Sequence, residues 1–301
     1  MGERGSSGDI VLEVRDLHKS YGPVQALRGL DFAVPRGAFF GLFGRNGAGK
    51  TTALDIITGL LGRDRGRVWL LGEEAGMEPS PETKQRFAYV GGHIQLYHWM
   101  TLQEHLKFIA GFYPSWDEDR CQELLSIFRL PMHQTVFSLS PGMHVQFQLL
   151  MALPRHPELL IMDEPGNLDP VVRSRLMDTM IEILEADDAS IVMASHLIDE
   201  LEGVCDHMCI IDQGVALTAG PVAELTENFR EIHFQNVQVT ELPEVEGIWH
   251  KEIAGSEMRL VMADYTEDKA EALARQLGAD GYEVGRLGLQ EFFIALTADR
   301  D

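Results

Sequence analysis

The stretch Phe39-Phe40-Gly41-Leu42-Phe43-Gly44-Arg45-Asn46-Gly47-Ala48-Gly49-Lys50-Thr51-Thr52, running on into Ala53-Leu54-Asp55-Ile56-Ile57, decides the fold. It begins as an apolar run of strand length and ends with the apolar spacing of a helix. Between the two, Gly44–Thr51 fits the pattern G-x-x-x-x-G-K-[ST]. Glycines at these places let the backbone curl until successive N–H groups face one polyanion, and the helix that follows adds its positive end. The order strand, glycine loop, helix therefore predicts a phosphate cradle built from Gly44, Arg45, Asn46, Gly47, Ala48, Gly49, Lys50, Thr51 and Thr52. Within it Lys50 is expected to reach the β- and γ-phosphates, and Thr51 to offer its hydroxyl to Mg²⁺.

Two further apolar runs, Glu158-Leu-Leu-Ile-Met-Asp163-Glu164-Pro165 and Ser190-Ile-Val-Met-Ala-Ser-His196, flank the helical stretch VVRSRLMDTMIEILEAD. Alternation of buried strands with helices marks a parallel sheet covered on both faces. In such sheets ligands gather at the carboxyl ends of the strands, where Asp163, Glu164 and His196 fall. Asp163 is expected to hold Mg²⁺ through water, Glu164 to act as general base toward an attacking water, and His196 to touch the γ-phosphate or that water.

Outward from this core, residues 10 to 40 alternate apolar and polar positions and read as antiparallel strands. From about Glu82 to Ser138 the pattern is mainly helical, as in TLQEHLKFIAGFY and DEDRCQELLSIFRL, and predicts an inserted helical subdomain over about 82–145. Beyond Pro221 the texture changes to a small α+β appendage, taken as 224–301, with strands in EIHFQNVQV, MRLVMAD and YEVGRL and helices in DKAEALARQLG and LQEFFIALT. Residues 1–8 read as a Gly/Ser leader, leaving 9–223 for the principal domain.

The pentapeptide Leu139-Ser140-Pro141-Gly142-Met143 narrows the choice among phosphate-loop proteins. It resembles the LSGGQ signature of ABC ATPases, and the order of all the motifs agrees with that family over about residues 9 to 223. The resemblance implies an α/β P-loop NTPase of the ABC ATPase kind, with an N-terminal antiparallel β-subdomain, an inserted helical subdomain and the small C-terminal appendage. It further implies ATP and Mg²⁺ as ligands, and two ATPase domains closing head to tail as a homodimer or a paired subunit. Ser140 and Gly142 of one copy would then cap the nucleotide of the other. Ser140 also suits an N-cap and Pro141 a first helical turn, although Pro141 has no N–H to give a phosphate.

By the same resemblance Tyr21, in SYGPVQALRGL, stacks on adenine, and Asp169 crosses the dimer interface from a loop one residue shorter than the family's usual DEPTSGLDP. The family's Gln at the entrance to the helical subdomain is replaced by Gly92, with Gln95 three residues later. Either Gln95 reaches the Mg²⁺ by another loop path or water takes the ligand's place. Leu96–Asp117, the LSxGM form and the terminal LQEFFIALT resemble ABC-2 exporter ATPases, particularly the branch associated with acetoin utilisation. His93, His98 and His105 are read as shaping a permease-facing surface or the helical core rather than binding metal.

With 25 basic against 47 acidic residues the formal charge is −22, which opposes binding to nucleic acid. Apolar residues make up 45% of the 301-residue chain, enough for a substantial core. No uninterrupted apolar run approaches the ~18 to 20 residues of a membrane-spanning helix. A membrane role must then come through an integral permease subunit, with this chain peripheral on the cytoplasmic face. Cys121, Cys205 and Cys209 are expected as reduced buried thiols. A second expectation stays open: an ATP-binding regulatory protein of this fold with little hydrolysis, suggested by Pro141, Gly92 and the shortened acidic loop.

Overall fold

The computed structural model describes residues 10–92, 94–164, 177–182, 186, 188–198, 201–227, 229–238 and 247–297. By contacts the chain divides into two compact units: Met1–His196 with Ile211–Ala216, and Leu197–Ile210 with Leu217–Asp301. The second holds the whole region expected from residue 224 onward and also takes in 197–210 and 217–223.

The first unit runs β1 (Ile10–Tyr21), β2 (Val24–Pro35), β3 (Phe39–Phe43), α1 (Lys50–Thr58), β4 (Arg65–Leu70), β5 (Glu73–Glu74), α2 (Pro81–Arg86), β6 (Phe87–Val90), α3 (Leu102–Ala110), α4 (Glu118–Phe128), α5 (Pro141–Ala152), β7 (Leu159–Asp163) and β8 (Ser190–Ser195). It shares β9 (His207–Asp212) and β10 (Val215–Pro221) with the second unit through the segment Ile211–Ala216.

The early alternating residues form the expected antiparallel sheet, ordered β2-β1-β4-β5. Its inward positions Leu12, Val14, Leu17, Leu30 and Val34 are buried, as a period-two pattern demands. The central sheet has the order β10-β9-β3-β8-β7-β6, and β3, β8, β7 and β6 pair in parallel. Every residue of β3, β7 and β8 is buried, which explains why those segments read as continuous apolar runs.

One segment corrects the sequence expectation. Phe87–Val90, assigned to the helical region, is a strand of the central sheet, with Phe87 opposite Leu159 and Val90 opposite Met162. Four largely apolar residues are too few to form a helix, yet enough to fill both faces of a buried strand. The helices then follow as predicted. Thr101 and Glu104 close a full capping box at the start of α3, with Thr101 Oγ1 accepting from Glu104 N at 3.2 Å and Glu104 Oε2 from Thr101 N at 2.9 Å. Of the helical stretch between β7 and β8, residues 177–182 are helical and 165–176 lie outside the described residues.

His105 on α3 is 2% exposed, edge-on to Phe147 at 5.8 Å, and its Nδ1 has no hydrogen-bond partner among the described residues. Burial holds its pKa below the ordinary histidine value. A depressed histidine pKa means the unfolded chain takes the proton first, so the stability tied to a neutral His105 is present above about pH 6.5 and drains away below it. His105→Leu is expected to lose less stability than the parent between pH 8 and pH 5.5, read as the shift in urea midpoint.

The second unit carries α6 (Val222–Glu227), β11 (Phe229–Gln235), β12 (Ile248–Ala254), β13 (Glu257–Ala263), α7 (Glu267–Leu277), β14 (Gly281–Arg286) and α8 (Leu289–Thr297). Its strands form an antiparallel sheet of order β12-β13-β11-β14. Ile232, Phe234, Met258, Leu260 and Met262 pack on Ala270, Leu273 and Leu277 of α7. Cys121, Cys205 and Cys209 are buried and unpaired; burial pushes the Cys121 thiol up to about 11 and that of Cys205 to about 12.

Candidate functional site

The loop between β3 and α1 is shaped by glycines that nothing larger could replace. A Cβ on Gly44 would fall 2.4 Å from the Ile211 carbonyl oxygen, and one on Gly49 would fall 2.7 Å from Ala26 O. Gly47 and Gly49 have φ of +82° and +110°, the left-handed region that favours glycine. Gly49 caps α1 without a side-chain hydrogen bond. The helix thus opens on bare N–H groups, an arrangement suited to an anion. Arg45, Asn46 and Gly47 are exposed at the rim, Gly44 and Ala48 are buried beneath it, and Thr51 and Thr52 are half-buried on the first turn.

Lys50 is only 5% exposed, yet it carries an ammonium. Its Nζ donates to Gly44 O at 2.7 Å and Arg45 O at 3.2 Å and stands 2.9 Å from Glu164 Oε1. Glu164 comes from the residue after β7, where φ of +32° and a hydrogen bond from its N–H to Ala194 O (3.1 Å) turn the chain toward the loop. His196, just past β8, brings Nδ1 to 3.5 Å from the same Glu164 oxygen. Asp163 ends β7, 8% exposed. Lys50, Asp163, Glu164 and His196, far apart in sequence, are therefore gathered at the carboxyl ends of three parallel strands. An ammonium, a hydroxyl and two carboxylates beside open N–H groups form a donor set that fits a Mg²⁺-bound polyphosphate.

Other sequence candidates lie elsewhere in the unit. Tyr21 ends β1, 49% exposed, with the Lys19 ammonium 5.8 Å from its ring centre. Ser140 caps α5, accepting from Met143 N at 3.3 Å, with Pro141 in the first turn as its position implied. Gly142 follows, half-buried. Asp169 and His93 lie outside the described residues.

A cleft of 720 Å³ is lined by Gly91, Gly92, Gln95, Pro141, Gln148, Asp163 and Glu164 among others. Gln95 thus borders the same cleft as the two carboxylates. At Gly92 an added Cβ would meet nothing within 4 Å. His98 and His144 also line this cleft; burial first, then the neighbouring His98, holds His144 below its ordinary pKa.

Sequence reasoning overlooked Gln148. It sits on α5, 8% exposed, and binds the backbone of Gly91 through both ends of its amide. A polar residue inside the apolar run Phe147–Ala152 was the available signal.

A family model described as ABC transporter matches residues 27–167. The linearmycin resistance ATP-binding protein LnrL of Bacillus subtilis (strain 168) is 33% identical over 221 residues, which are 71% of this chain and 70% of that protein. The Nod factor export ATP-binding protein I of Cupriavidus pinatubonensis is 30% identical over 296 residues, covering 95% of this chain and 90% of the other. Among solved structures, one titled as the ATP binding subunit of an ABC transporter superposes with a TM-score of 0.65 at 32% identity, over 72% of this chain and 92% of that one.

Proposed function

The chain belongs to the ABC transporter family as one of its ATP-binding proteins, and from that membership we propose that it hydrolyses Mg–ATP in a head-to-tail pair and drives a separate membrane permease. The observation that carries this reading is the meeting of Lys50, Glu164 and His196 beside the glycine loop.

Thr51 would hold a bound Mg²⁺ directly and Asp163 through water, with Gln95 or a further water completing the set, and the ion would supply neutralisation of phosphate charge. The N–H groups of Gly44–Thr52 bind the phosphates, and Tyr21 stacks on adenine. The Lys50 ammonium lies 2.9 Å from Glu164 Oε1. A polyphosphate carries more charge and draws Lys50 to itself, which frees the Glu164 carboxylate for a water. Glu164 then takes the proton of that water as its oxygen bonds to the γ-phosphorus, and the bond to the bridging oxygen breaks to leave ADP and phosphate. His196 orients the same water. Ser140 and Gly142 of the twin close over the γ-phosphate, with Asp169 crossing the interface.

Among the described residues no helix is long and apolar enough to cross a membrane. The membrane-spanning part belongs to the permease, and this chain works on its cytoplasmic face. Tyr97, Trp99, Phe108 and Phe112 form a run of exposed rings with centres 5.0 to 5.9 Å apart, and Tyr97 and Phe108 line a cavity of 410 Å³ together with His105 and Arg155. Exposed aromatic surface of this kind suits a protein partner. Replacing Trp99, 74% exposed, by Ser is expected to reduce permease-stimulated phosphate release about tenfold, the order of one interface anchor.

Export as the direction draws support from relatives named for linearmycin resistance and Nod factor export. The acetoin-utilisation branch rests on Leu96–Asp117 and the terminal helix. One alternative, an ATP-binding regulator with little hydrolysis, is favoured by Gly92, which has no side chain to act where the resemblance expects a glutamine. Steady-state phosphate release by the purified chain, with and without a permease subunit, tests both. Turnover that rises with the permease supports the motor; negligible release in each case supports the regulator.

A further inference from the structure

Helix α5 is apolar where it is buried, apart from Gln148. A carboxamide in such a place is costly unless every polar atom finds a partner. Here both do, and on one residue: Gln148 Oε1 accepts from Gly91 N at 2.9 Å, and Gln148 Nε2 donates to Gly91 O at 3.2 Å. An apolar side chain would serve packing alone, so the amide is present for these two bonds.

Gly91 stands at a sensitive point. It follows β6 directly, and a Cβ there would lie 3.2 Å from Asp163 Cβ and 2.6 Å from Tyr89 Oη. The backbone at Gly91 is thus pressed against the strand end that carries the acidic pair. Gly91, Gly92, Ile94, Gln95 and Leu96 all line the 720 Å³ cleft. At its other end the helix that bears Gln148 begins with Ser140, Pro141 and Gly142.

We propose that Gln148 is a positioning residue for hydrolysis: its two-point clamp on Gly91 locks the residue that follows β6 to helix α5. The loop beside Asp163 and Glu164 and the turn Ser140–Gly142 then share one arrangement, and a shift of either is felt by the other. This rests on the hydrolysis reading above. Gln148 touches no reacting atom; it acts through Gly91 on the geometry of its neighbours. Misplacement of a supporting element by about 1 Å costs on the order of 100-fold in rate with little effect on substrate affinity.

The test uses the full chain with Mg–ATP. Gln148→Met keeps the volume and removes both hydrogen bonds; Gln148→Asn keeps the amide but falls one methylene short. Each is expected to lower kcat about 10- to 100-fold with KM within about threefold of the parent. Amide exchange at Gly91 is expected to quicken in both. Parental kcat in a folded Met variant overturns the proposal, as does a kcat that falls only in step with the folded fraction. If Gln148→Met does not fold, the Asn variant decides, and parental kcat there overturns it equally. Should the parent itself show no turnover, the hydrolysis reading fails on its own, and exchange still judges the clamp. Nucleotide should then protect 91–96 and 140–146 together in the parent and only one of them in the variants; joint protection retained in the variants overturns the coupling.

Discussion

A Glu164→Gln chain should bind Mg–ATP about as tightly as the parent and release phosphate about 10²- to 10⁴-fold more slowly. The amide has the shape of the carboxylate, so the left-handed backbone at Glu164 and its hydrogen bond to Ala194 O are undisturbed. It cannot accept the proton of an attacking water. Nor can it engage the Lys50 ammonium as an anion across 2.9 Å, which leaves Lys50 more available to a phosphate and moves affinity, if at all, upward. Titration with a fluorescent nucleotide and steady-state phosphate release measure the two quantities separately. A variant that turned over at the parental rate would remove Glu164 from the role of base.

What the sequence disclosed and what it concealed follow from the range of the interactions concerned. Strand β3, the glycine loop and α1 are contiguous, and their signals are local: period, glycine spacing, one lysine. The strands around Leu159–Asp163 and Ser190–Ser195 were legible because burial on both faces makes their composition nearly uniform. Phe87–Val90 is buried except for the half-buried Tyr89, but it has only four residues, and the helical pattern around it masked it. Strand β12 escaped for the opposite reason. It is an edge strand with mostly exposed residues, so Ile248–Ala254 lacks the alternation by which a half-buried strand is recognised.

At the site, the types of residue were legible and their contacts were not. That Lys50 would pair with Glu164, or that Gln148 would clamp Gly91, depends on how strands and helices from distant parts of the chain come together. No local pattern encodes such a meeting. The capping box at Thr101 and Glu104 was encoded locally, and its observed geometry follows from the spacing alone.

Lys50→Met is expected to weaken Mg–ATP binding by roughly 30- to several-thousand-fold, the equivalent of about 2 to 5 kcal/mol for removing one member of a buried, hydrogen-bonded charge pair. Methionine has nearly the length of the lysine stem, so the slot beneath the loop stays filled. The fold has little reason to suffer. Holding an ammonium at 5% exposure carries a desolvation cost that Glu164 and two backbone carbonyls offset in the free chain, and Glu164, with its side chain one-third exposed, can turn to water once its cation is gone. Isothermal titration with Mg–ATP, run beside thermal unfolding of the same sample, separates lost binding from lost structure. An affinity within threefold of the parent, in a chain that melts normally, would mean that the phosphates do not lie over Lys50. The glycine loop, whose N–H groups gain from a fixed cation beneath them only when an anion lies above, would then need another explanation for its shape.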